Sequence, residues 1–369
     1  MNNKSCTGVW VLTDDRAGNR TQAIGLADAL GVGYEVKSLR FGFWSRLHNL
    51  VLGASIAGVK RQDRQLLAPP WPQLVIGAGR RTAPVARWIK SQSDGKTKII
   101  QLGRKGGQNP TAFDATVTPV YAGLPPHPTR IETLGPLNRV SEQALSEASA
   151  AQNPFEGTPG PSIVLLLGGA TARQKFGPAE AVKLAEKISL ATEDLGGSLI
   201  AVASRRTGQQ VTDIMSEVIG ERGQVKAWRP NDPANPYLTC LAHAGIVVVT
   251  GDSESMIAEA ASTGKAVYIY PLALKAPGTW ARWGSRATEL AAQARAGEGG
   301  LLSRIYCAMI DCGLMRPARD LSLMHTALEY KGYVKIFRGT LSMQSSTERF
   351  LETETVAETL RSMLKLDGV

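Results

Sequence analysis

Short β-rich apolar runs alternate with amphipathic helical patterns along most of this 369-residue chain. That alternation is the signature of parallel sheets with helices packed on their faces. In the first half, strands are expected at residues 8–13, 34–39, 73–76, 98–102 and 115–117, with helices such as 21–30 and 82–90 between them. In the second half the strands are expected at 163–167, 199–203, 224–227, 246–250 and 266–270. The class is α/β.

The rhythm breaks over residues 141–161, a polar stretch whose end is crowded by Asn153, Pro154, Gly157, Pro159, Gly160 and Pro161 and reads as a linker. The chain is too long for one ordinary core. Two Rossmann-like domains are therefore expected, over 1–150 and 160–345. A terminal segment, 346–369, carries Phe350, Leu351, Val356, Leu360, Met363 and Leu364 at near-helical spacing and should pack back on one of them. Two such domains facing a cleft hold ligands beyond the carboxyl ends of their strands, so the loops that follow strands carry the chemistry.

Composition narrows the ligand. Lys and Arg total 42 against 32 Asp and Glu, a formal net charge of +10, which favours nucleotides, phosphorylated substrates or an anionic membrane surface. The basic residues are scattered and no helix-turn-helix, RNP or zinc-finger pattern accompanies them, so nucleic acid is not the expected partner. Cys6, Cys240, Cys307 and Cys312 lack ligand spacing and read as thiols of a reducing compartment. No uncharged stretch is long enough to span a bilayer and the first residues lack a signal-peptide core, which suits a soluble or peripheral cytoplasmic protein.

Three loops of the second half suit an anionic ligand. Gly168 and Gly169 follow a strand and precede Arg173 and Lys175; glycine amides approach a phosphate closely, although such pairs also arise for steric reasons alone. Ser204, Arg205, Arg206 and Thr207 follow the next strand, where arginines form charge-assisted bonds to phosphate or simply make a solvated turn. The strongest is the strand AGIVVVT followed by Gly251, Asp252, Ser253, Glu254, Ser255 and Met256, with Ser253 as the expected N-cap. That helix start offers hydroxyls, free amides and a positive dipole end to a pyrophosphate, and Glu259, one turn beyond Ser255, suits ribose hydroxyls. Asn235, Pro236 and Tyr237 open another helix and either wall a base or shape a loop.

The segments VTGDSESMIAEAASTGKAVYIYPL, SRRT at 204–207, NPYL at 235–238 and TDDRAGNRTQAIGLADALG near the start resemble the plant family named for mitochondrial fission and elongated mitochondria, whose bacterial members are often labelled nucleoside-diphosphate-sugar epimerases. The DS-x-SM-x-x-EA pattern is also similar to the donor site of GT-B glycosyltransferases and UDP-sugar 2-epimerases. That resemblance implies a nucleotide sugar, for instance a UDP-sugar, bound by the C-terminal domain, with Glu259 on the ribose and Ser253, Ser255 and Met256 near the diphosphate. It makes the N-terminal domain the acceptor side.

On that side, Asp14 and Asp15 end the first strand and are base candidates for an inverting transfer, with His127 a poorer third; turn formation is their competing role. Arg16, Gly18, Asn19 and Gln22 share the loop. GAGRR at 77–81 and GRK at 103–105 put Arg80 and Arg104 at strand ends beside glycine. No acidic pair is placed for a divalent ion, so neither metal nor cofactor is expected. An apolar stretch from Phe41 to Val59, interrupted by Arg46, His48 and Asn49, reads either as a core helix or as an interfacial segment.

The leading expectation is a metal-independent, GT-B-like glycosyltransferase, peripheral to the inner face of a membrane and acting on a lipid or glycolipid. An epimerase or a non-catalytic membrane adaptor are the alternatives. An oxidoreductase is disfavoured because DDRAGNRTQ stands where a G-x-G-x-x-G turn would be. The oligomeric state is not legible.

Overall fold

The computed structural model describes residues 8–103, 109–230, 232, 235–276, 279–315, 317–344 and 348–366. In chain order, β1 (Val9–Thr13), α1 (Ala17–Ala29), β2 (Tyr34–Ser38), α2 (Asn49–Leu52), β3 (Leu74–Ala78), α3 (Thr82–Gln92), β4 (Lys98–Leu102), β5 (Ala115–Pro119) and β6 (Arg130–Thr133) come first. Their strands form a six-stranded parallel sheet of order β2-β1-β3-β4-β5-β6.

There follow α4 (Glu142–Ser149), β7 (Ser162–Leu167), α5 (Pro178–Asp194), β8 (Ser198–Ala203), α6 (Gln209–Ile219), β9 (Gly223–Lys226), α7 (Tyr237–His243), β10 (Ile246–Thr250), α8 (Glu254–Ala261) and β11 (Ala266–Tyr270). After α9 (Thr279–Arg295), α10 (Leu301–Asp311) and α11 (Leu321–Tyr330) comes β12 (Lys335–Ile336), and α12 (Glu352–Leu364) is last. The second sheet, also parallel, has the order β9-β8-β7-β10-β11-β12, the Rossmann arrangement.

Central parallel strands are buried on both faces, which is why SIVLLL and IVVVT are apolar almost throughout. The two-residue period of a strand then sorts the side chains. Val9 and Val11 join one core with Leu26 and Ala27 of α1, whereas Trp10 and Leu12 join another with Val85 and Ile89 of α3. In the second sheet Ile163, Leu165 and Leu167 pack with Leu184 and Ile188 of α5 and Met215 of α6.

The chain forms two compact units, one of Met1–Arg139, Gly278–Asp320 and Glu352–Val369, the other of Val140–Pro277 and Leu321–Leu351. This interleaving differs from the two contiguous stretches read from sequence. Residues 278–320 group with the first unit, where the Asp320 N–H donates to the Tyr121 carbonyl at 3.4 Å. α12 belongs there too: Val356, Ala357, Leu360 and Leu364 complete the core around α1, and Glu352 accepts the N–H groups of Leu134 and Gly135 at 2.6 and 2.9 Å.

One local expectation is also corrected, and one of two open readings is removed. The stretch read as a linker contains α4, because Ser141 caps it by accepting the Ala144 N–H at 3.1 Å, and a good cap outweighs the surrounding composition. The apolar stretch after β2 is not a core helix. Gly42, Gly53 (φ +58°) and Gly58 interrupt it, leaving a 3-10 turn and the four-residue α2, with Phe43, Trp44, Leu50 and Val51 exposed.

Candidate functional site

The order of the second sheet reverses between β7 and β10, where a parallel sheet leaves a crevice at its carboxyl edge. The loops leaving these strands are bonded to each other there. The Gly168 N–H donates to Thr250 Oγ1 at 2.8 Å, and the Gly169 N–H donates to Asp252 Oδ2 at 3.0 Å. The Thr250 hydroxyl donates to Asp252 Oδ1 at 2.7 Å, and Arg206 Nη1 lies 2.7 Å from Asp252 Oδ2. Thr207 donates its hydroxyl to the Gly168 carbonyl at 2.6 Å and accepts the Ser204 N–H at 2.9 Å, which ties in the loop after β8.

Glycine is obligatory at both turn positions. A Cβ on Gly168 would stand 2.2 Å from the Asp252 carboxylate, and one on Gly169 would stand 2.0 Å from the Arg206 carbonyl. The buried Asp252 is neutralised by these donors and works as the brace of the turn, with both oxygens engaged. Beside it Arg205 is exposed and pairs with no carboxylate among the described residues. Arg173 is exposed on the turn in which Thr171 Oγ1 accepts the Arg173 and Gln174 N–H groups at 3.2 and 3.0 Å.

α8 opens at this edge. Ser253 is buried at its N-cap position but makes no capping bond with its side chain, contrary to expectation. The amides of the first turn lack acceptors within the helix and sit at its positive end, with Ser255 half-buried beside them. Met256 is buried, so it presents its backbone rather than its side chain.

One turn on, the Tyr237 hydroxyl donates a hydrogen bond to Glu259 Oε2. Burial pushes the Glu259 carboxyl up to about 7, with the tyrosine bond partly opposing it. Burial, together with the Glu259 charge, holds the Tyr237 hydroxyl well above its ordinary value. Asn235 Oδ1 accepts the Tyr237 N–H at 3.0 Å and Pro236 occupies the N-cap of α7, so these two residues start a helix and position the tyrosine.

In the first unit the strand order reverses between β1 and β3, and the β1 loop lies there. Asp14 Oδ1 accepts the Arg16 N–H and the Asn19 side-chain amide, each at 3.1 Å. Its Oδ2 is buried without a hydrogen bond, 3.9 Å from Arg81 Nη1. The exposed Asp15 pairs with the same Arg81 nitrogen at 2.5 Å. Asn19 rests on Gly79, whose φ of +81° and lack of a Cβ, which would be 2.4 Å from Asn19 Nδ2, permit the approach. A cavity of about 550 Å³ opens here, lined by Thr13, Asp14, Asp15, Arg20, Ser38 and Arg40 among others.

Other expected residues lie elsewhere in role. Gln22 donates to the Gly18 carbonyl at 3.2 Å within the start of α1, and Arg16 is exposed there. The Arg80 guanidinium is tied to the carbonyls of Ser45 and Leu47, so it does not enter the cavity. His127 precedes β6, at the opposite edge of a parallel sheet, and accepts the Thr129 N–H at 3.2 Å. Arg104 lies outside the described residues. Three residues of weight were missed: Thr250, Arg81 and Arg20. Thr250 closes an apolar strand with a lone hydroxyl, a signal the sequence does carry; Arg81 is told from Arg80 only by the start of α3.

The family model described as Mitochondrial fission ELM1 matches residues 17–297. The chain belongs to this family. The family match takes in all the second-unit loops described above and begins just after Asp14 and Asp15. Mitochondrial fission protein ELM1 of Arabidopsis thaliana is 27% identical over 248 residues, 59% of this chain and 56% of that protein, so the chain spans little more than half of that relative. An uncharacterized protein of Rickettsia prowazekii (strain Madrid E) is 26% identical over 297 residues, 71% of this chain and 82% of its own. Among solved structures, one assigned as a UDP-N-acetylglucosamine 2-epimerase of Listeria monocytogenes shows a loose likeness, with a TM-score of 0.49 and 12% identity over 98% of this chain and 97% of that one.

Proposed function

We propose that this ELM1-family chain is a nucleotide-sugar-dependent glycosyltransferase that acts on a lipid or glycolipid hydroxyl. One observation carries the reading: the glycine turn after β7, the arginine loop after β8 and the N-terminus of α8 converge at the switch point of the second sheet. The exposed Arg205 and the positive end of α8, held in place by the turn that Arg206 and Asp252 brace, together suit a diphosphate, and they would stabilise it as a leaving group. Glu259 keeps Oε1 outside its bond to Tyr237, which suits one ribose hydroxyl. In the first unit, Asp14 is among the residues that line a cavity and its Oδ2 makes no hydrogen bond, which suits removal of a proton from an acceptor hydroxyl once that oxygen is reached.

Thermal shift with UDP-, GDP- and CMP-sugars tests the reading. One nucleotide sugar should raise Tm where its free sugar does not, and Ser255→Ala or Glu259→Ala should abolish the rise. If no nucleotide sugar shifts the transition, the reading is wrong.

A further inference from the structure

Between β2 and β3 the segment from Phe43 to Leu52 inverts the usual pattern of a folded chain. Three of its polar contacts run inward. The Arg80 guanidinium binds the carbonyls of Ser45 and Leu47, the Asn49 side chain donates to the Arg80 carbonyl at 2.9 Å, and the Ser45 hydroxyl donates to the Gly42 carbonyl at 2.7 Å. An antiparallel bridge between Phe41 and Val59 closes the base of this finger. Its large apolar side chains point the other way: Val51 is 73% exposed, Phe43 70%, Trp44 59% and Leu50 48%.

Within residues 40–64 the charge is mostly of one sign. Arg40, Arg46, Lys60, Arg61 and Arg64 stand against one carboxylate of that segment, Asp63, which Arg40 neutralises at 2.6 Å. Arg46 lies over the Phe43 ring, 5.6 Å from its centre, and Phe43 meets Trp44 edge-on at 6.0 Å. An aromatic and aliphatic tip beside arginines suits the boundary between anionic headgroups and acyl chains. A ten-residue finger is small for a stable protein interface, which needs about 800 Å² on each partner. No helix among the described residues is long and apolar enough to cross a membrane.

We infer that this finger docks the protein on an anionic lipid bilayer by inserting Phe43, Trp44, Leu50 and Val51 while the neighbouring cations meet the headgroups. The inference deepens the acceptor side of the proposed function by naming the surface that brings the chain to a lipid substrate.

The test is co-sedimentation of the full chain, without nucleotide, on phosphatidylcholine vesicles with and without phosphatidylglycerol. Vesicle binding is read apart from the donor screen, so either reading can fail alone. Binding should require the anionic lipid and weaken as salt rises. The triple variant Phe43→Ser, Trp44→Ser, Val51→Ser should retain its fold by circular dichroism, because these side chains are exposed, and should lose at least about tenfold in vesicle affinity. Arg46→Glu with Arg61→Glu should do the same. Absence of binding by the unmodified chain, equal binding by the triple variant, or a change of molar mass in the triple variant that marks the finger as a contact between copies would each overturn the inference.

Discussion

Tyr237 and Glu259 stand on different helices of the second unit and share one proton-bearing contact, the tyrosine hydroxyl on Glu259 Oε2. The contact proposed for the ribose depends on how this partly buried carboxyl titrates. Its value rises from 4.5 to about 7, so the folded chain holds the proton more tightly than the unfolded chain. The resulting stabilisation is full below about pH 4.5 and fades as pH rises to about 7.

Glu259→Gln keeps an acceptor for Tyr237 and removes the titration. Between about pH 5 and pH 8 the unmodified chain should therefore lose on the order of 2 kcal/mol more stability than this variant. Chemical denaturation at several pH values reads the difference. Parallel pH profiles would show that the carboxyl does not titrate as its burial demands.

Gly168→Ala and Gly169→Ala should each destabilise the second unit by roughly 2 kcal/mol or more, because the added methyl meets a buried carboxylate or a carbonyl that nothing frees to move. Urea denaturation is the check. A neutral result at both positions would mean that the turn relaxes.

The adjacent arginines should separate. Arg206→Ala removes the partner of a buried carboxylate and should cost about 1–3 kcal/mol. Arg205→Ala should leave stability within about 0.5 kcal/mol and weaken nucleotide-sugar binding by about tenfold or more, as expected for an exposed phosphate contact. Calorimetric titration alongside denaturation tests both arms, and the idea fails if the two variants behave alike.

Asp14→Asn should retain the turn contacts that Oδ1 makes yet lower turnover by about 100-fold or more with donor affinity unchanged, as loss of a general base does. Asp15→Asn opens only an exposed pair with Arg81 and should keep most of the turnover. Single-turnover assays with the donor identified by thermal shift distinguish them.

The strands were readable because buried parallel strands are apolar runs: residues 98–102, 246–250 and 266–270 coincide with β4, β10 and β11. β6 was not, since Arg130 and Glu132 break its apolar character, and β12 is only two residues long. Strand order leaves no local trace. The sequence therefore gathers Gly168, Arg206 and Asp252 as members of one site without distinguishing brace from contact. Asp252 is a brace because β10 lies beside β7, which places its carboxylate under a turn more than eighty residues away. Arg80 and Arg81 look interchangeable in GAGRR, and only the start of α3 sends one to the finger's carbonyls and the other to Asp15.

The backbone passes four times between the two units. During synthesis the second sheet can therefore close before the first unit is complete. The groove on α1 that takes Val356, Ala357, Leu360 and Leu364 stays open until the last helix leaves the ribosome. The first unit is thus the late-maturing half, and a nascent chain stalled before residue 352 exposes an apolar surface to chaperones although all the strands have been made.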